Sequence, residues 1–123
     1  MTMILVIDRD GVSRRLAARV LEQAGRRVAQ GSCGCEAAGL ARRHRPGLVL
    51  MGVDAQAEEV LRALRCLRAE PVMSGVRVHA LVARGLAPGY ARMLADEFDG
   101  FLVKPFDQRG LFRYVDAQLR RRP

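Results

Sequence analysis

The chain has 123 residues, half of them hydrophobic and 28% charged, which excludes an intrinsically disordered protein and fits one globular domain over residues 1–123. It lacks an apolar run of the roughly 20 residues that a membrane-spanning helix needs, and its start lacks the basic region of a signal peptide, so we expect a cytoplasmic protein without membrane contact. The formal net charge is +8, carried almost entirely by arginine, which permits an anionic partner without requiring one.

Short apolar runs rich in branched residues predict buried strands. In chain order they are Met3–Ile7, Arg27–Gln30, Leu48–Met51, Arg77–Ala83 and Gly100–Val103. Amphipathic stretches between and after them predict helices. These begin near Val12, Glu36, Ala55, Ala87 and Asp107, and they end near Gly25, His44, Glu70, Glu97 and Arg121.

Two of the predicted helices have a well-defined apolar stripe. The stripe of the first helix consists of Val12, Leu16, Val20, Leu21 and Ala24, and that of the fifth consists of Leu111, Phe112, Val115 and Leu119. We expect both stripes to face the core. Gly25 is expected to end the first helix, because glycine favours the left-handed conformation found there.

A strand followed by a helix, repeated five times, predicts the α/β class with a doubly wound, five-stranded parallel sheet that carries helices on both faces. In such sheets ligands bind at the carboxyl ends of the strands. The functional candidates are therefore the residues at these ends. They are Asp8, Arg9 and Asp10 after the first strand, Gly52 and Asp54 after the third, Val82 in the fourth and Lys104 after the fifth.

The cysteines predict neither a disulfide framework nor a metal site. Cys33, Cys35 and Cys66 are an odd number in a sequence without a secretion signal. Cys33 and Cys35 are also one residue closer than in the C-x-x-C spacing of zinc and redox sites. We expect no bound metal and no cofactor.

The sequence resembles the receiver domains of two-component response regulators, the CheY-like family, along essentially its whole length. The segments that carry the resemblance are Ile4–Asp8, Arg45–Met51, Leu67–Pro71, Val78–Leu81 and Gly100–Phe106. The last of these, with its Lys-Pro-Phe sequence, is the most specific. The resemblance implies a (βα)5 flavodoxin-like fold with strand order 2-1-3-4-5.

The resemblance also implies a phosphorylation site, from which this sequence departs. Receivers place a nucleophilic aspartate at the end of the third strand, an acidic pair that holds Mg²⁺ after the first, a hydroxyl residue after the fourth and a lysine after the fifth. Here Gly52, Arg9 and Val82 stand where the nucleophile, one acid and the hydroxyl residue are expected. Asp8, Asp10 and Lys104 remain. Because phosphoryl transfer needs a nucleophile and a cation, we predict a degenerate pseudo-receiver that is not an enzyme.

Two hypotheses concern the carboxylates that remain. Asp8 and Asp10 would repel each other without Mg²⁺, so Arg9 or Lys104 is expected to neutralise them in a standing ion-pair network. Asp54, two residues after Gly52, is either a replacement phosphoacceptor or the N-cap of the third helix, and the helix-compatible residues that follow it favour the N-cap. The third helix is expected to begin early, after a stiff loop.

Other residues are candidates for binding a partner or ligand. They are Arg84, Tyr90, Arg92, Phe101, Arg109 and Arg113. The resemblance implies docking through the fourth helix, fifth strand and fifth helix, although Phe101 is also compatible with simple packing. Arginines of receiver-like proteins can also stack on the guanines of cyclic di-GMP, and dispersed, solvated arginines are the remaining alternative. His79, in the middle of a buried strand, is expected to be a hydrogen-bonded core residue.

The sequence therefore predicts a phosphorylation-independent receiver that acts as a protein-interaction module in bacterial two-component signalling. Its expected partner is a histidine kinase, another receiver or an effector. A sensor of a small anionic ligand such as cyclic di-GMP is the alternative. We expect no general DNA-binding role, since no helix-turn-helix follows the fifth helix.

Overall fold

The computed structural model describes residues 2–54, 57–86 and 88–120. Its strands form one parallel sheet, and they are β1 (Met3–Ile7), β2 (Arg27–Gly31), β3 (Leu48–Val53), β4 (Arg77–Val82) and β5 (Gly100–Val103). The order across the sheet is β2-β1-β3-β4-β5. The predicted fold class and strand order are confirmed.

Helices alternate with the strands. They are α1 (Gly11–Gln23), α2 (Ala37–His44), α3 (Ala57–Arg68), α4 (Pro88–Glu97) and α5 (Gln108–Arg120). Single 3₁₀ turns at Gly34–Glu36 and Pro71–Met73 precede α2 and follow α3. Gly25 has a φ of 84° and lies just beyond α1, as predicted for a helix stop.

The core consists of two apolar layers, one on each face of the sheet. The α1 and α5 side contains Leu21, Leu111 and Val115 packed with inward residues of the strands. The opposite side buries residues of α2, α3 and α4, among them Leu67 and Leu94. The central strands β1, β3 and β4 are covered on both faces and have mostly apolar sequences, which is why they could be predicted from the sequence pattern.

The predicted helix stripes are only partly correct. Val12 is 71% exposed and Leu16 is 36% exposed, whereas Ala17 and Ala18 are buried. Helix α1 therefore packs in the core through Ala17, Ala18, Val20 and Leu21, and the first turns of the helix expose the larger side chains of Val12 and Leu16. In α5, Phe112 is 39% exposed although Leu111 and Val115 are buried.

Several predicted boundaries are also corrected. Strand β3 continues to Val53, β4 ends at Val82, and α3 ends at Arg68 because Pro71 begins a 3₁₀ turn instead of continuing the helix. The early start predicted for the third helix falls on residues 55 and 56, outside the described residues. Within the described ranges, no helix is both long and apolar enough to cross a bilayer.

Candidate site at the carboxyl edge of the sheet

The carboxyl edge of the sheet brings together the residues predicted from the strand ends. Ile7 pairs with Met51, so Asp8 lies beside Gly52 of the neighbouring strand. The backbone N–H of Asp8 donates to the carbonyl of Gly31, and that of Lys104 donates to the carbonyl of Val82. These two hydrogen bonds extend the pairing of the strands and fix the backbone of Asp8 and of Lys104 at the carboxyl edge of the sheet.

Asp8 and Lys104 form a buried ion pair. The Lys104 Nζ atom lies 2.7 Å from Asp8 Oδ2, and only 14% and 6% of the two side chains are exposed. The second carboxylate oxygen accepts from the backbone N–H of Asp10 at 3.0 Å. The predicted standing ion pair is therefore present, with Lys104 as its cation.

The Asp8 carboxylate occupies the space beside Gly52. A Cβ atom built on Gly52 would lie 2.3 Å from Asp8 Cγ, far closer than atoms in contact can approach. Asp8 is held by Lys104 and cannot retreat without loss of their ion pair. Glycine at this position is therefore what allows the pair to form.

Arg9 turns away from the aspartates. Its guanidinium donates to Glu59 of α3 at 3.4 Å, and both side chains are largely exposed. The prediction that Arg9 or Lys104 neutralises Asp8 and Asp10 is met in part, since Lys104 pairs with Asp8, while Arg9 ties the end of β1 to α3.

Asp10 serves as a helix cap and not, as predicted, as a member of an ion-pair network. It is the N-cap of α1, where its side chain accepts from the backbone N–H groups of Val12 and Ser13. The Ser13 hydroxyl also donates to it at 3.0 Å. Hydrogen bonds from Ser13 lower the pKa of Asp10 from its ordinary value, which favours the charged form of the cap.

These residues do not fit a Mg²⁺ site. Mg²⁺ requires oxygen ligands in near-octahedral geometry, usually including one or two carboxylates. Here Asp8 is engaged by an ammonium group, Asp10 caps a helix, and the side chain between them is a guanidinium. Among the described residues, no group of three or more His, Cys, Asp or Glu side chains is arranged to hold a metal.

Val82, at the end of β4, has no charge or hydroxyl to contribute. It is 7% exposed and belongs to the same apolar layer as Leu94 of α4. Phe101 is not packed, which corrects one of its predicted alternatives. It is 50% exposed on the edge strand, and Val103, on the same side of that strand, is 49% exposed.

A cavity of about 620 Å³ opens next to the ion pair. It lies between the ends of β1 and β3, the 3₁₀ turn before α2, and α3, and it is lined by Asp8, Gly52 and the half-buried Asp54. Cys33, Cys35 and Cys66 also line it. Sequence reasoning missed this grouping, since Cys66 is distant in the sequence and only the packing of α3 brings it to the same cavity.

The predicted partner-binding arginines lie away from this cavity. Arg84, Arg92, Arg109 and Arg113 are exposed, and they do not appear among the described residues that line it. The Tyr90 side chain is outside the described part of the chain. Cyclic di-GMP binding by these residues stays a prediction.

His79 and Tyr114 connect the sheet to α5. His79 is 1% exposed, and its Nδ1 lies 2.5 Å from the Tyr114 hydroxyl. Gly100 leaves room for them, since a Cβ there would lie 2.7 Å from both of these polar atoms. The prediction of a hydrogen-bonded core histidine is confirmed.

Comparison with known proteins identifies the family. A model of the response regulator receiver domain matches residues 4–116. A comparison with curated proteins gave no match.

Solved receiver structures share the architecture. The chemotaxis response regulator CheY4 of Vibrio cholerae is 20% identical, with a TM-score of 0.82 over 95% of this chain and 98% of that chain. The receiver domain of sensor histidine kinase PA1611 from Pseudomonas aeruginosa, solved with a magnesium ion in its active-site cleft, is 26% identical, with a TM-score of 0.80 over 94% and 95%. A receiver-modulated diguanylate cyclase from Pelobacter carbinolicus is 22% identical, with a TM-score of 0.76 over 98% and 93%. Since the family model covers most of the sequence and the sheet has the same architecture, the chain belongs to the response regulator receiver domain family.

Proposed function

We propose that this receiver works without phosphorylation, as a protein-interaction module of bacterial two-component signalling. Receiver domains act in such systems with histidine kinases and effectors. The proposal is that this chain keeps the binding surfaces of the fold and has exchanged the phosphorylation chemistry for a permanent ion pair. It would then be a regulatory partner and not an enzyme.

One observation carries the proposal: the Asp8 carboxylate, paired with Lys104, fills the space beside Gly52. A nucleophilic side chain at position 52 would require this space. Glycine supplies no nucleophile, and the lysine that would contact a phosphoryl oxygen is already neutralised by Asp8.

The charge balance at this edge supports the same conclusion. Phosphoryl transfer needs cations that spread the negative charge developing on the phosphoryl oxygens. The nearest ammonium group is engaged, and Arg9 is bonded to Glu59 at 3.4 Å instead of facing the ion pair. Val82 adds no hydrogen-bond donor.

Treatment with acetyl phosphate and MgCl₂, followed by intact-mass spectrometry, tests the proposal. We expect no phosphoryl adduct on the wild-type chain. The variant Arg9→Asp/Gly52→Asp/Val82→Thr serves as a matched comparison, because it restores the missing groups. A second protein, a receiver that is known to be phosphorylated, is the positive control and shows that the assay detects the adduct.

A phosphoryl adduct on the wild-type chain would overturn the proposal, and peptide mapping would then locate it. Asp54 is the residue to inspect first, since it lines the cavity two positions after Gly52. A partner whose affinity is the same with and without the phosphodonor would support the proposal directly.

A further inference from the structure

Cys33 and Cys35, here called the cysteine pair, lie at the mouth of the cavity on the 3₁₀ turn before α2. Cys33 is the N-cap of this turn, and its Sγ accepts from the backbone N–H of Cys35 at 3.2 Å. Cys33 is half-buried and Cys35 is exposed, and both are free thiols. The sequence spacing gave no reason to expect chemistry here, but the turn holds the Cys33 sulfur within hydrogen-bonding distance of the Cys35 backbone.

The turn is held rigidly on both sides. Glu36 Oε1 accepts from the backbone N–H groups of Ser32 and Cys33, each at 3.0 Å, which completes a capping box. A Cβ on Gly34 would lie 2.6 Å from the Ala63 Cβ, so the turn lies directly against α3. The position of the cysteine pair is therefore set by tertiary packing.

The two sulfurs have different environments. The hydrogen bonds that Cys33 receives from the Cys35 side chain and backbone lower the pKa of Cys33, and the positive charge of Arg9 lowers it further. Burial and the Glu36 carboxylate act in the opposite direction, and the net change is a lowered pKa. The hydrogen bond with Cys33 raises the pKa of Cys35. Reactive cysteines are accessible thiolates near positive charge, and redox-sensing ones often lie beside a second thiol that resolves the oxidised form.

We propose that the cysteine pair is a hydroperoxide-reactive dithiol site, in which Cys33 is the attacking sulfur and Cys35 the resolving one. The Cys33 thiolate attacks an oxygen of the hydroperoxide, so that an S–O bond forms and the O–O bond breaks. Cys33 is oxidised to a sulfenic acid, and the hydroperoxide is reduced to an alcohol, or to water if it is hydrogen peroxide.

The Cys35 sulfur then attacks the sulfur of the sulfenic acid. An S–S bond forms, the S–O bond breaks, and hydroxide leaves as water with the proton from Cys35. Residues two apart in a chain have Cα atoms at most about 7 Å from each other, which overlaps the Cα separations found in disulfides, about 4.4–6.8 Å. The bridge removes Cys33 as the cap of the turn, so it changes the cavity wall.

This inference does not rest on the proposed function, and its experiment is separate. The native protein is treated with one equivalent of hydrogen peroxide at neutral pH, and the remaining thiols are alkylated. The masses of the tryptic peptides are then measured by mass spectrometry. Cleavage after Arg27 and Arg42 places the cysteine pair in one peptide and Cys66 in another. We expect the peptide of the pair to lose two hydrogen atoms, while Cys66 remains an alkylated thiol.

Two variants distinguish the roles of the sulfurs. In Cys35→Ser, we expect Cys33 to stop at the sulfenic acid and to be labelled by dimedone. In Cys66→Ser, the matched control on α3, the bridge should form as in the wild type. The same chain unfolded in urea shows how fast the pair reacts without the turn, and we expect slower oxidation there.

Three outcomes would overturn the proposal. The first is oxidation that begins at Cys66. The second is dimedone labelling of Cys35 in preference to Cys33 when the native chain is treated with hydrogen peroxide in the presence of dimedone. The third is an equal oxidation rate in the native and unfolded chains, and each of these would show that the folded turn does not activate Cys33.

Discussion

At the scale of single residues, Gly52 and Asp8 depend on each other. A side chain at position 52 and the observed Asp8 carboxylate cannot both fit, since a Cβ would lie 2.3 Å from Asp8 Cγ. Asp8 is in turn retained by Lys104 at 2.7 Å, in a site where little of either side chain is exposed. An unpaired charge in such a site is costly, so the effect of a substitution at any one of the three residues is expected to depend on the other two.

Gly52→Ala should therefore destabilise the protein by about 1–3 kcal/mol, because the added methyl group overpacks the site and displaces Asp8 from Lys104. Urea unfolding measures the change. Gly89→Ala is the matched control, since a Cβ there meets nothing within 4 Å and alanine favours the helix. If the clash is the cause, Gly52→Ala should cost much less in an Asp8→Ala background, and equal costs in the two backgrounds would contradict it.

At the scale of elements, the ends of helices and their ties to the sheet position the site. Helix α1 begins directly after Asp8 and Arg9 because Asp10 caps it, and the Arg14 side chain donates to the Asp8 carbonyl at 2.8 Å. A residue that looked like a metal ligand in the sequence is thus a structural cap.

Asp10→Ala should lower the free energy of unfolding at pH 7 by about 1 kcal/mol, through loss of the N-cap. The pKa of Asp10 is lowered in the folded protein, so this stabilisation is complete above the unfolded pKa of about 3.9 and is lost as the pH falls through the folded value. Urea unfolding at a series of pH values checks it. Asp10→Asn, which can still cap, should lose little, and a pH-independent difference between wild type and Asp10→Ala would contradict the assignment.

Tyr114→Phe tests the tie between α5 and the sheet. The loss of the hydrogen bond between the Tyr114 hydroxyl and the buried His79 should cost about 1 kcal/mol of stability. Thermal or urea unfolding measures it. The effect should shrink in a His79→Leu background, whereas the same loss in both backgrounds would show that the hydroxyl acts elsewhere.

At the scale of the whole molecule, the chain has the receiver fold, with the Asp8–Lys104 ion pair at the carboxyl edge of its sheet. Two apolar layers cover a five-stranded parallel sheet, as in the receivers to which it is similar. Fold stability comes from these layers, so changes at the carboxyl edge leave the architecture intact.

The melting temperature should therefore be insensitive to Mg²⁺. A ligand that binds only the native state raises stability in proportion to the logarithm of its concentration, and the described carboxylates offer no site for such binding. Calorimetric melting in millimolar MgCl₂, compared with NaCl of equal ionic strength, measures this. A magnesium-specific rise that disappears in Asp8→Asn would contradict the ion-pair assignment.

The sequence by itself determined the fold class, because buried parallel strands are apolar runs and the intervening helices have their own periodicity. The strand order was expected from the resemblance to receiver domains. It also located Asp8, Gly52 and Lys104 at the strand ends. It mispredicted the exposure of Val12, Leu16 and Phe112, because the rotation of a helix on the sheet depends on packing against particular neighbours.

Only the tertiary structure decided how the site residues are used. Lys104 and not Arg9 pairs with Asp8, and Asp10 became a cap, since these choices depend on distances of a few ångströms between distant parts of the chain. The same is true of the cavity, where the contact of Gly34 with Ala63 brings the cysteine pair beside α3. Local sequence patterns determine the strands and helices, and long-range packing determines which of their side chains come into contact at the site.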